Sequence, residues 1–429
     1  MLDRVWGFAR RHQRKLVIGA GVVGGLYYSA RLLVQRLGEM QAAGAREQAA
    51  REGVRRRFDQ NQRDCMFTIM SLLPELSEQV LREVDVERLI AELRAINKPA
   101  VEDGPDAEAE AEPPRRPKVE IWEDIKVQSF ARTLIAVYAE SLLAMLVHVQ
   151  LNMVGRSTYL DSVVSKYTDA AASTAQDGRA VLEGRRLSRL TPSDEQNFLM
   201  LSWWFLNRGW RVLMELVMAA TARRVGQLPL KERLSHRELG ALFDGIHAQL
   251  RDDGLPQRLA AILLPLGDVC AGDYLAANGL DAAQVFTPAM VRLLDQVRDI
   301  IESPDFALVF GCCVDRLTAQ LLEALRESFP DPVPPPAPRG PPLPTADATG
   351  TGGLDGPSLD AVVREFEEFS PPPESRVVVV QLLPRIAREG HQILNGVPNQ
   401  YLENVGASRE LQALSAAVYM AEDTTDDVA

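Results

Sequence analysis

A chain of 429 residues is long enough for one large domain or two ordinary ones, each with ample core. Its 46% hydrophobic and 25% charged content is that of a globular protein, and a net charge of −12 with no basic domain argues against general nucleic-acid binding. Cys65, Cys270, Cys312 and Cys313 show neither CxxC spacing nor the density of a disulfide framework, and there is no Asn-x-Ser/Thr acceptor. Together these lead us to expect reduced thiols in a domain facing the cytosol.

Residues 1–15, MLDRVWGFARRHQRK, form a basic segment with Arg4, Arg10, Arg11, Arg14 and Lys15 against the single acid Asp3. Leu16 to Ala30 then carries no charge at all. A cleaved secretory signal has this shape, but Tyr28-Ser29-Ala30 is a weak cleavage site. A buried soluble helix is the second alternative, and four glycines in these 15 residues count against it. The third is a membrane span. Fifteen residues rise only about 22 Å against a hydrocarbon core of about 30 Å. The run extends through Leu32, Leu33 and Val34 if Arg31 snorkels, with Trp6, Tyr27 and Tyr28 suited to the interface. A transmembrane anchor over 16–34 is therefore expected, and Gly21-x-x-x-Gly25 would let another helix approach it closely. Arg31, Arg36, Arg46 and Arg51 make the far flank basic too, so charge does not set the orientation.

Residues 35–97 read as a helical stalk followed by the first bundle helices. Val86, Leu89, Ile90 and Leu93 share one stripe, with Asp85, Glu87, Arg88 and Glu92 outside it. Residues 98–117 are rich in Pro, Glu, Asp and Ala and predict an acidic disordered loop. A cytosolic bundle is expected over 118–328, a Pro/Gly-rich disordered loop over 329–373, C-terminal bundle helices over 374–420 and an acidic tail over 421–429. The one β-like run, Arg376 to Pro384, continues into helical sequence, so the expected fold is all-α, an elongated helical bundle with an N-terminal membrane anchor.

Thr133 to Val154 is long enough for a second span, with Glu140 and His148 as its ionisable groups besides Tyr138. A glutamate near the middle of a span is costly, whereas a central bundle helix is apolar all round; a buried core helix is expected. Reaction machinery is missing from the sequence: no GxxxxGK[ST], GxGxxG, HExxH or GxSxG occurs, and no histidine sits four residues from another. Adjacent Cys312 and Cys313 point about 100° apart on a helix, a poor metal pair. Trp203, Trp204 and Trp210 suggest helix core or a membrane-facing patch before a ligand box. No cofactor, no metal and no catalytic activity are expected.

On a helix starting at Lys118, Trp122 aligns with Lys118, Ile125 and Ser129, while Glu120, Glu123 and Asp124 lie off that line. Val119 and Phe130 flank the line on one side and Ile121 on the other, which centres a wide apolar arc on Trp122 and Ile125. Such a face suits the wall of a groove that receives an amphipathic helix. It equally suits ordinary core with Lys118 as a solvated cap residue.

The N-terminal MLDRVWGFARRHQRK with its Gly-rich apolar run resembles the peroxisomal biogenesis factor 3 (peroxin-3) family. So do NQRDC (Asn61 to Cys65), SLLPEL (Ser71 to Leu76), IWEDIK (Ile121 to Lys126), VQLN (Val149 to Asn152), YLD (Tyr159 to Asp161) and ESPDF (Glu302 to Phe306), in the family's order. The resemblance is good over about 1–161 and 285–330, looser over the last 55 residues and very weak over 162–284. It implies a docking receptor in the peroxisomal membrane, its bulk facing the cytosol and its biogenesis passing in some settings through the endoplasmic reticulum. Its implied partner is the N-terminal amphipathic helix of the peroxin-19 chaperone, which brings membrane-protein cargo to peroxisomal membrane lipids. The family's groove tryptophan falls on Trp122, its lysine on Lys118 and its preceding-helix leucine on Leu93, with Ile90, Ile125 and Leu89 as further groove positions. The family's proline and lysine on the far wall have no match here, where Val378 and Gln381 stand. A membrane-anchored tether or enzyme with an internal cavity is the competing expectation.

Overall fold

The computed structural model describes residues 52–97, 116–171, 190–330 and 375–421. The expected basic segment 1–15, the anchor 16–34, the acidic stretch up to residue 115, the Pro/Gly-rich stretch 331–374 and the tail beyond residue 421 lie outside the described residues. The chain divides into two units, residues 1–63 and 64–429. The first contributes the mostly exposed opening turns of helix α1 (52–83).

Among its described residues the second unit is all-α apart from one small ribbon. Within it α1 buries Cys65, Ile69, Leu73, Leu76 and Val80, a spacing of three and four residues that places them on one face. A bend at Val84 follows, and Asp85 accepts the Arg88 amide at 2.8 Å, opening α2 (Val86–Asn97). Helix α3 (Lys118–Ala171) starts directly after Pro117 and runs for 54 residues. Then come α4 (Pro192–Leu199), a single turn over Ser202–Trp204, a π-turn over Phe205–Gly209 and α5 (Trp210–Val225). Strand β1 (Arg233–Ser235) leads into α6 (His236–Asp252), α7 (Leu255–Leu263) and α8 (Gly267–Asn278). After α9 (Pro288–Glu302) and α10 (Pro304–Arg326), strand β2 (Arg376–Val378) runs antiparallel to β1, with Leu234 opposite Val377. The β-like run of the sequence thus splits: three residues pair as a strand and the rest opens α11 (Val379–Asn395), followed by α12 (Gln400–Gly406) and α13 (Arg409–Met420).

Helix α3 is the axis of this unit. Every residue from Ser129 to Gln150 is buried, because α11, α5, α13, α2 and α10 pack around it. Its most apolar 18-residue window is 94% buried, so the apolar run around 133–154 is a core helix. Gly390 of α11 lets the two backbones close in: a Cβ there would lie 2.5 Å from the Thr133 hydroxyl, which itself donates to the Ile386 carbonyl at 2.8 Å. Deeper polar groups divide into two kinds. Tyr138 and Thr318 bracket His247 at 2.7 and 3.1 Å, and His148 meets Ser415 at 3.0 Å. Glu140 lies fully buried with neither carboxyl oxygen hydrogen-bonded, and burial raises its pKa well above the ordinary carboxyl value.

Candidate functional site

The opening turns of α3 are exposed or only partly buried apart from Ile121, and α2 packs on this helix. Arg116, just before the helix, forms ion pairs with Glu120 and Asp124 and so ties the entering chain to the first two turns. These hydrogen bonds hold the Arg116 guanidinium above its usual range. One turn on, the fully buried Lys126 ammonium bonds the Leu228 carbonyl and pairs with Glu123. Leu228 belongs to the chain that leads into β1, and the Val379 amide donates to the Glu232 carbonyl at 2.9 Å. Lys126 therefore links the start of α3 to the neighbourhood of Val378, where the far wall was expected.

Burial separates the six predicted residues. Leu89, Leu93 and Ile125 are buried at 2, 7 and 3% exposure, within the same apolar cluster as Ile121 and Phe130. Trp122 and Ile90 are half-buried and pack on that cluster from outside, while Lys118 is exposed. In helical projection Trp122 falls between Ile125 and Lys126, on the side turned to the bundle, and it keeps part of its surface because it stands only one turn into the helix, where Lys118 to Glu120 are exposed. Val119, 68% exposed, adds apolar surface one turn before Trp122. Leu89, Leu93 and Ile125 are thus sealed in the core, while Trp122, Ile90 and Lys118 keep solvent-accessible surface.

Sequence reasoning missed the buried cations. Lys126 and Arg132 sit among apolar residues at 0 and 1% exposure, and nothing in helical spacing distinguishes them from surface bases. The tryptophan cluster resolves as core. Trp210 is fully buried and donates to Gln79 at 3.1 Å, Trp204 donates to the Ala261 carbonyl at 3.3 Å, and the half-buried Trp203 meets Tyr274 edge-on at 5.9 Å. Burial pushes the Cys313 thiol up to about 12, the character of an inert core residue. Among the described residues no group of His, Cys, Asp and Glu could hold a metal ion.

These features define an all-α scaffold whose one long core helix emerges at a partly apolar, charge-rimmed end. A Peroxin-3 family model matches residues 7–112 and 96–421. The chain is similar to the Peroxisomal biogenesis factor 3 of Yarrowia lipolytica, 30% identical across 97% of this chain and 99% of that protein. It is similar as well to the human protein of that name, at 29% identity across 77% of this chain and 80% of its relative. The Peroxisomal membrane protein PEX3 of Komagataella phaffii matches at 27% across 57 and 58% of the two chains. The chain belongs to the Peroxin-3 family, which places it among peroxisome biogenesis factors, not a known enzyme family.

Proposed function

We propose that this chain is a docking receptor of the peroxisomal membrane, anchored by residues 16–34 with its bundle in the cytosol. It receives the N-terminal amphipathic helix of the peroxin-19 chaperone at the Trp122 end and so directs membrane-protein cargo to that membrane. The observation that carries the reading is the half-exposed Trp122 at the start of α3, with exposed Val119 and Lys118 on the same opening turns and Ile125 sealed beneath them one turn on. A large aromatic held at the surface by packed neighbours is the side chain that most often dominates a helix-in-groove contact. Lys118, exposed one turn before Trp122, supplies a cation at the rim. No bond is made or broken; apolar burial supplies the affinity and the anchor fixes the place.

The test uses the full chain in detergent micelles and a labelled peptide of the chaperone helix. Anisotropy is expected to show binding that Trp122→Ala weakens by at least about 2 kcal/mol, some thirtyfold, at unchanged circular dichroism. Binding of equal strength in parent and variant would move the site elsewhere, and a folded parent that does not bind would sink the docking reading.

A further inference from the structure

Arg132 presents an energetic puzzle. Its side chain is 2% exposed, its Nε has no partner, and a terminal nitrogen donates to Glu87 of α2 at 2.6 Å. Glu87 stands at the first turn of α2 with its carboxylate largely exposed. Partial burial pushes that carboxyl up, but the hydrogen bond and charge of Arg132 outweigh it, with His391 adding to them, and hold it below the usual range. A buried guanidinium with an unsatisfied nitrogen is a poor source of stability, and an apolar side chain of similar volume usually does as well or better. Its best-attested use is to choose one arrangement among several of similar packing energy.

Such a choice exists here. Helix α2 spans 12 residues and meets the bundle through Val86, Leu89 and Leu93. Apolar contact is non-directional, so this stripe alone leaves a sliding α2 with little to lose over part of a turn. A charged hydrogen bond has a fixed length and direction and does not slide. Ile90 lies one turn from Glu87, and Leu93 a turn beyond, so the position of Glu87 decides where both side chains lie along the bundle.

We propose that the Arg132–Glu87 pair is a positioning device that sets the register of α2 on α3 and thereby builds the face to which Trp122 belongs. This rests on the docking reading above and extends it to a residue that touches no partner.

The decisive variant is Arg132→Met in the full chain, which removes the buried charge and leaves an exposed Glu87 that water solvates. It is expected to melt at or above the parent temperature while binding the chaperone-helix peptide at least about tenfold more weakly. Glu87→Gln, which keeps a hydrogen-bond acceptor, is expected to lose less than about threefold. Amide exchange supplies a readout that plain destabilisation would not give: in both variants exchange should quicken in 86–97 and stay unchanged in α10. Arg132→Met with parent affinity and parent exchange in α2 would overturn the proposal. Should that variant fail to fold, Glu87→Gln decides, and uniform acceleration across the bundle would mark the pair as ordinary core. A parent that binds no peptide would defeat the docking reading, leaving exchange in α2 to judge the register claim by itself.

Discussion

Among the described residues, two helical stretches are long and apolar enough to cross a membrane by composition, and they meet opposite fates. The window inside α3 is 94% buried, whereas the stretch Leu255–Asn278, covering α7 and α8, is 39% buried. The difference lies in what each segment offers its neighbours. Helix α3 is apolar on every side through its middle, so five helices cover it. Helix α7 buries Leu255, Leu259, Ile262 and Leu263, but α8, rich in Gly, Ala and Asp, buries Tyr274 alone and leaves Val269 at 78% exposure. Average hydropathy selects both; coverage follows from the distribution of large side chains.

The sharpest way to break the comparison is to lift α7 off the bundle. Gly209 ends the π-turn with its Cα so close to α7 that a Cβ would sit 1.7 Å from the Ile262 carbonyl oxygen, a backbone atom with no room to swing away. Gly209→Ala is expected to cost about 4 kcal/mol, above the usual range of about 1–3 for overpacking because the contact is with backbone, read as a fall in thermal midpoint by circular dichroism. An unchanged midpoint would mean that α7 tolerates displacement and is far less firmly held than its buried leucines imply.

Next in size is a pH effect confined to the covered segment and its neighbours. Burial drives His148 and His247 down to about 4 from an ordinary 6.5, with Asp315 and Asp244 partly opposing the shift at His247. Because both imidazoles take up protons less readily when folded, their contribution is whole above about pH 6.5 and is lost as pH falls through about 4. Each shift corresponds to about 3 kcal/mol. Urea midpoints measured between pH 7 and 4 should fall steeply in the parent and less steeply in His247→Gln. Parallel slopes would assign the acid sensitivity to other groups.

How much of this was legible beforehand depends on the physical scale of each feature. The all-α fold and the burial of 133–154 follow from periodicity and from the cost of Glu140 in lipid, both local properties. Trp122 could be placed on a helix with Lys118 and Ile125, but its half-burial depends on what packs over the first turns of α3, and the Lys126–Leu228 contact there joins residues 102 apart. The Arg132–Glu87 pair spans 45 residues and two helices, and no spacing rule links them. The β1–β2 ribbon was missed because three-residue strands 143 residues apart carry no periodic signal.

A smaller effect isolates the one carboxyl in the covered segment, which its surroundings fail to satisfy. Glu140, with both oxygens unpaired, carries the opposite sign from the histidines. Its raised pKa means that it favours folding most below the ordinary carboxyl value of 4.5 and opposes it increasingly as pH rises above that. Glu140→Met is expected to stabilise the chain by about 2 kcal/mol at pH 7. A destabilised variant would reveal a partner for the carboxyl.

The smallest effect belongs to α8. Tyr274 is its sole buried side chain, its ring edge-on to Trp203 and its hydroxyl without a partner, so burial pushes that hydroxyl up to about 12. Removing an unpaired buried hydroxyl while keeping the ring should help slightly, so Tyr274→Phe is expected to gain less than about 1 kcal/mol. Tyr274→Ala should instead release α8 with little effect on α3, because nothing else in α8 is buried. Cys270, half-buried one turn before Tyr274, reports the event: in a Cys312→Ser background, maleimide labelling should quicken in Tyr274→Ala and slow in Tyr274→Phe. If Tyr274→Ala instead melts the whole bundle, the exposed α8 is as much a part of the cooperative core as the covered α3, and the contrast between the two apolar segments is one of solvent contact alone.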